Sequence, residues 1–217
     1  MNRTMVALAL AAFVSASGAA PVTYTDQTAF DAAAPGTISD DFESSTFDGT
    51  TISFSGGTIG CSGGNFCTSF YGIEFGGGLA LSGTKAPFFG TPDTLTFSFA
   101  APITAFGIFI GGSGDVGTQN LSITLSDGSA FAPFPDYTNG SGTFVDNTLF
   151  FGVVSDVPFT TVAFTGDLVG DGVFFDDLSY GAAQQVPEPA TVLLLGVALA
   201  GLTVGSRRRR DATARMC

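Results

Sequence analysis

Thr94-Leu95-Thr96-Phe97-Ser98-Phe99 is the stretch whose reading decides the fold. Apolar and hydroxyl-bearing side chains alternate without a break. Successive strand residues point to opposite faces, so Leu95, Phe97 and Phe99 line a core face while Thr94, Thr96 and Ser98 line a wet one. Working outward, similar short apolar runs occupy Ser69 to Phe75, Ile103 to Ile110, Leu121 to Leu125, Leu149 to Val154, Thr160 to Thr165 and Gly172 to Tyr180. Asp127-Gly128 between Leu125 and Ser129 reads as a tight hairpin turn. Gly111 to Gly114 and Asn139 to Gly142 read as loops. Several short strands at this spacing predict an all-β fold, a two-sheet antiparallel sandwich of the jelly-roll kind, with a barrel as the alternative.

Upstream of these strands, Thr25 to Ala34 is the one convincing helix of the body. Thr25 is placed to cap it, Asp26 suits its positive end, Pro35-Gly36 stops it, and Phe30 is expected to pack on the sheet. Thr37 to Glu43 and Thr50 to Phe54 suggest two strands of a hairpin, with Phe47-Asp48-Gly49 as the turn. Cys61 and Cys67 flank a five-residue loop, which in an exported chain predicts a disulfide. A zinc site is disfavoured there, because the chain contains no His and its third Cys, Cys217, lies at the far end.

The two ends differ from the body. Arg3, the apolar run Met5 to Val14 and the small residues Ser15 to Ala20 form a secretory signal peptide, taken as residues 1–19. At the other end, Val186-Pro187-Glu188-Pro189 leads into the apolar segment Ala190 to Ser206 and then Arg207-Arg208-Arg209-Arg210. A helix over the apolar segment is roughly 25 Å long, a short membrane span. Each Arg costs about 2.5 to 3.5 kcal/mol at the bilayer centre, so the cluster acts as a stop-transfer signal and stays cytoplasmic with the tail 211–217. Between these ends lies an exported body, 20–185, with seventeen acids and a single base, Lys85, a net charge near −16. So acidic a surface repels phosphate, which disfavours nucleic acid and anionic lipid as partners. The 23 Phe argue against disorder, since apolar area on that scale can drive a core.

Pro-Glu-Pro, one apolar span and a terminal Arg cluster, in that order and on a chain with a signal peptide, resemble the PEP-CTERM sorting signal of Gram-negative bacteria. The resemblance covers 186–210. It implies recognition of Pro187, Glu188 and Pro189 by a membrane-embedded exosortase, with Arg207, Arg208, Arg209 and Arg210 setting topology. It further implies transient anchoring in the inner membrane, removal of the anchor, and release to the cell surface or an exopolysaccharide or biofilm matrix.

The chemistry open to the body is narrow. Without His there is no Ser-His-Asp or Cys-His arrangement, and one Lys gives little support for a Ser-Lys one. A secreted glycan hydrolase with paired carboxylates remains formally available, but spacing does not show two acids meeting across a cleft. Tyr71, Tyr137 and Tyr180 are candidates for stacking on sugar rings, as in a carbohydrate-binding module, although tyrosines so placed are more often structural than ligand-facing. Calcium is the one candidate cofactor, because it accepts irregular oxygen shells. Asp167 to Gly172 misses the EF-hand pattern, and Gly111 to Val116 misses the repeat-toxin pattern. Asp40, Asp41 and Glu43 on the first strand, paired with Asp176 and Asp177 on the last, resemble the acids that hold a structural calcium in carbohydrate-binding jelly rolls. The competing reading is that strand alternation leaves one acid of each pair in solvent. The reading reached from the sequence is an exported, noncatalytic surface or matrix protein.

Overall fold

The computed structural model describes residues 20–64, 67, 71–75, 80–112, 120–131, 148–167 and 169–182. The chain divides into two compact units, Met1–Ala183 and Gln184–Cys217, and all described residues belong to the first. The expected signal peptide, apolar span, Arg cluster and cytoplasmic tail lie outside them, as do Tyr137 and the loop 139–142. In chain order the elements are β1 (Val22–Tyr24), α1 (Gln27–Ala33), β2 (Ile38–Asp40), β3 (Thr46–Phe47), β4 (Thr51–Phe54), β5 (Gly57–Ser62), β6 (Tyr71–Phe75), β7 (Lys85–Gly90), β8 (Thr94–Gly111), β9 (Leu121–Leu125), β10 (Ala130–Phe131), β11 (Leu149–Gly166) and β12 (Gly172–Gly181).

β8 and β11 organise the rest. In a straight strand Phe97 and Phe106 would stand roughly 30 Å apart at about 3.3 Å per residue, yet their ring centroids are 5.6 Å apart. Phe151 and Phe164 of β11, roughly 40 Å apart if the strand were straight, approach to 6.2 Å. Both strands therefore double back while their pairing continues from one half to the other, with register shifts between Val154, Phe159 and Thr161. The exposed residues Ala100-Ala101-Pro102 and Asp156-Val157-Pro158 mark the two corners, where proline's missing N–H costs no central ladder bond.

One layer runs β3-β4-β5, then the first half of β8, the second half of β11, β9 and β10. The other runs β1, the first half of β11, the second half of β8, and β12, with β2 and β7 on the far side of β12 and β6 beyond β7. All these pairs are antiparallel. The fold is thus the expected all-β sandwich, but its two layers are one continuous sheet folded across a shared strand pair. The sheet path ends at β10 and at β6, so it is open rather than a closed barrel.

The alternation read in Thr94 to Phe99 holds: Leu95, Phe97 and Phe99 are buried, with Thr94, Thr96 and Ser98 half-buried on the other face. Between the layers, Phe164 meets Phe175 at 4.9 Å, and Phe97 meets Phe175 at 5.6 Å. Aromatic pairs of this kind add about 0.5 to 1.5 kcal/mol each beyond their buried area.

Four local expectations are corrected. β8 and β11 are single bent strands, where the separate apolar runs suggested two each. The strand read over Thr37 to Glu43 is confined to Ile38–Asp40, because Phe42 takes a left-handed backbone (φ 58). β2 then pairs with β12, while β4 pairs with β3. The turn is as expected, with Asp48 Oδ1 accepting from Thr50 N at 2.8 Å and Thr51 N at 2.7 Å. The helix cap is Asp26, whose Oδ1 accepts from Ala29 N at 2.8 Å, rather than Thr25.

The disulfide joins Cys61 and Cys67 as expected, and the buried Asp93 steadies its loop by accepting from Cys67 N at 2.7 Å. By the chain-entropy relation so short a loop contributes about 2 kcal/mol. The Asp127-Gly128 hairpin also forms, joining β9 to β10.

Helix α1 is held to the second layer through Phe30, which is fully buried. Beneath it Gly107 and Gly152 face each other across β8 and β11. A Cβ on Gly152 would lie 2.6 Å from the Phe30 ring, and one on Gly107 2.9 Å from it. The glycines are needed for that close approach, and Phe150 flanks the ring at 5.5 Å. Phe30→Ala is expected to cost about 3 to 5 kcal/mol and Gly152→Ala about 1 to 3 kcal/mol. In urea unfolding of the four proteins of this cycle, the glycine substitution should cost much less once the ring is gone; strictly additive losses would contradict direct packing.

Candidate functional site

β2 and β12 lie side by side with Leu178 opposite Asp40 and Ser179 opposite Ser39. The sequence expectation that the first acids and the last acids meet is met at the level of the strands. The side chains then part.

Asp40 is buried. Its Oδ1 accepts from Phe42 N at 2.8 Å, closing the turn that sets Phe42 left-handed, and its Oδ2 accepts from Ser55 N at 3.0 Å and from the Ser55 hydroxyl. Ser55 Oγ continues to Tyr180 Oη at 2.9 Å. Tyr180 is buried, with its ring 5.9 Å from Phe54 and 5.4 Å from Phe99. It is therefore a core residue and not a sugar-stacking platform. Tyr71 lies in β6 opposite Phe89.

Glu43 clasps the start of β7. Its Oε1 accepts from Thr84 N at 2.6 Å and Lys85 N at 2.7 Å. These backbone donors, Thr84 first, hold the Glu43 carboxyl below its ordinary value. The Lys85 ammonium donates to the carbonyls of Glu43 and Ser45 at 2.7 and 3.0 Å.

Asp176 points away from both. It is fully buried, and its Oδ2 accepts from Leu81 N at 2.7 Å and Ser82 N at 2.8 Å. Burial pushes its pKa up to about 6, with the Asp177 charge adding and the N–H groups of Ser82, Asp177 and Leu81 opposing. A register shift between Asp176 and Ser179 turns the next residue outward. Asp177, at φ 48, accepts from the Ser82 hydroxyl at 2.7 Å.

Asp40, Asp41 and Asp177 alone share a cleft, of about 410 Å³, with Gln27, Ser39 and Ser179. Among the described residues no three of the five acids bring carboxylate oxygens within 4.8 Å of one another. A calcium shell with bonds of about 2.3 to 2.6 Å requires such convergence. The five carboxylates are thus dispersed in this structure, and Asp40, Glu43 and Asp176 tie backbone N–H groups. The group that does converge, Cys61, Cys67 and Asp93, is the disulfide and its anchor. Sequence reasoning missed Gln27, Ser39 and Ser179, which carry no motif; the strand register alone brings the two serines together.

The comparisons with known proteins bear on the chain's C-terminal end. The family model of the PEP-CTERM protein-sorting motif matches residues 185–210. The chain carries a PEP-CTERM protein-sorting motif. That span contains Pro187, Glu188, Pro189 and Arg207 to Arg210, and a PEP-CTERM motif marks an exported protein with a C-terminal sorting signal. No curated protein matches this chain. Among solved structures, the K1 cleaved adhesin domain of Lys-gingipain from Porphyromonas gingivalis W83 is similar at 10% identity and TM-score 0.43, over 67% of this chain and 98% of that one. TmCBM61 in complex with beta-1,4-galactotriose is similar at 15% identity and TM-score 0.34, over 64% and 92%. A family 29 carbohydrate-binding module is similar at 13% identity and TM-score 0.30, over 60% and 98%. Likenesses this distant identify neither a ligand nor an activity for this chain.

Two outcomes are expected of the acids. Since the folded Asp176 carboxyl titrates at about 6 against an ordinary 3.8, folding takes up a proton between those values. Its stabilisation is full below pH 3.8 and is lost as pH rises through about 6. Asp176→Asn should flatten that decline in a series of urea melts, and an unchanged profile would refute the assignment. Glu43, Asp48 and Asp167, held low by their hydrogen bonds, act oppositely and lose their contribution as acid protonates them. Separately, a Tm that falls with chelator and returns with calcium would establish a calcium site at these acids, whereas a Tm unchanged by chelator is the outcome expected of carboxylates that stay dispersed on backbone N–H groups.

Proposed function

We propose that this protein is a noncatalytic component of the cell surface or extracellular matrix, delivered there by exosortase processing and associated with exopolysaccharide. The observation that carries the reading is the sorting motif at 185–210. In this reading Pro187, Glu188 and Pro189 are recognised, 190–206 holds the chain transiently in the inner membrane, and Arg207 to Arg210 keep the tail cytoplasmic. The body's composition supports a noncatalytic role: it has no imidazole, and its one side-chain amine, on Lys85, donates to two backbone carbonyls. A second reading, a carbohydrate-binding module, is favoured by the polar cleft between β2 and β12.

Mass measurement on fractionated native cells tests the sorting reading. The wild-type product should lack residues 1–19 and the segment after Pro-Glu-Pro, and should lie outside the inner membrane. Glu188→Ala should remain full length past the motif and membrane-retained. A wild-type chain found intact in the membrane would defeat the proposal.

A further inference from the structure

We propose that the outer face of the layer running from β3 to β10, a charge-free array of Thr and Ser hydroxyls, binds a single extended chain of neutral β-1,4-linked polysaccharide laid across the strands. This deepens the polysaccharide association put forward above, on which it rests, by naming a surface and a linkage class.

Strand register decides what this face carries. Through β3, β4, β5, the first half of β8, the second half of β11, β9 and β10, every outward position is Thr, Ser, Gly or Ala. None of these outward residues is buried. A body with seventeen acids thus keeps one whole face free of charge, with Asp48 and Asp127 held in the turns at its margins. The register sets Thr51, Gly60, Thr96, Ala163, Thr124 and Ala130 side by side in one row. On one side of it runs a row through Thr58, Ser98 and Thr161, on the other a row through Ser62, Thr94 and Thr165. A Cβ on Gly60 would meet nothing within 4 Å, so the middle row is open above, and its floor drops wherever Gly or Ala stands between threonines. The result is a shallow trough between two hydroxyl rails. The hydroxyls of Thr94 and Thr165 bond each other at 2.7 Å, while those of Thr96, Ser98 and Thr161 have no protein partner among the described residues.

Charge, polarity and period then select the occupant. An anion is repelled by the body as a whole, and a cation finds no carboxylate on this face. A second copy would bring another net charge near −16 against it, and opposed hydroxyls supply little apolar burial to offset the repulsion. A hydroxyl both donates and accepts, so the face matches a partner that does the same at many points, as a neutral sugar chain does. Sheets twist; a single flexible chain can follow the twist across several strands, and a rigid crystal surface cannot. Strands stand about 4.8 Å apart, so the threonines of the middle row recur at about 9.6 Å. A β-1,4-linked chain turns successive rings over and so repeats its edge at every second sugar, a distance of the same size. No aromatic ring stands on the face, and bonds between neutral hydroxyls are individually weak, so many along one chain are needed.

The test is affinity electrophoresis of the full chain in detergent, through gels containing glucomannan, amylose or polygalacturonate, each normalised to a polymer-free gel. The neutral β-1,4-linked glucomannan should retard the protein; helical amylose and the anionic polymer should not. Thr96→Ala combined with Thr124→Ala should weaken retardation about tenfold, and Ala163→Arg, which fills the trough, should abolish it. If Ala163→Arg shifts the urea midpoint, the alanine pair decides. Thr23→Ala, an exposed hydroxyl on β1 of the other layer, should change nothing. Equal retardation by amylose, loss confined to Asp41→Asn in the cleft beside β2, or a dimer in sedimentation that Ala163→Arg disperses would each overturn the proposal. So would free passage through all three gels. In that event the matrix reading is judged separately, by where fractionation of native cells finds the processed chain.

Discussion

The doubling back of β8 and β11 is the constraint on which the structure depends. A single sheet of this width exposes two faces, and the aromatic side chains of this chain are too many to leave on either. Bending the central pair at Pro102 and Pro158 lets one half of each strand close on its own other half, so that Phe97 packs on Phe106 and Phe151 on Phe164. Burying a Phe side chain is worth about 1.5 to 3 kcal/mol, and the bend buries several at once. The remaining strands extend the two halves and complete the core with Ile52, Ile59, Phe89, Ile123 and Phe175. The outer face of the second half is further covered by α1, whose Phe30 rests on paired glycines.

A body with seventeen acids and one base cannot neutralise its carboxylates with ion pairs. It turns them to backbone N–H groups instead. Asp26 caps the helix, Asp48 closes a turn, Glu43 clasps the start of β7, Asp93 holds the disulfide loop, and Asp176 gathers the segment around Leu81. Each such bond is charge-assisted and therefore stronger than its neutral counterpart. It also satisfies a donor that an irregular segment would otherwise leave unpaired. The acids act as loop fasteners, and the cleft beside β2 is where spare oxygens of two of them remain.

Much of this was legible in the residues. Strict alternation in Thr94 to Phe99 announced a half-buried strand, and the short Cys spacing announced the disulfide. The sorting motif is contiguous, so no fold is needed to read it. What stayed hidden has physical causes. β7 from Ala86 to Gly90 is buried on both faces, which erases the period-two pattern. Proline at the corners of β8 and β11 reads as a strand end, although the ladder resumes beyond it. Of the acids at 40–43 and 176–177, Asp40 does lie on a strand beside β12, but Asp41 and Glu43 fall past the end of β2, and where the side chains point depends on two left-handed residues, Phe42 and Asp177, and on a register shift. A strand alternation rule has no means of foreseeing those.

The pairing of the domain's early strands with its late ones makes closure a late event in synthesis. β1 bonds to β11, and β2 to β12, so in a chain made from its N-terminus the first strands wait for the last ones. β12 ends at Gly181, just ahead of the matched motif at 185–210. Pairings between segments so far apart in sequence carry a loop-closure cost before they give anything back, so the domain closes as a whole rather than strand by strand from its start.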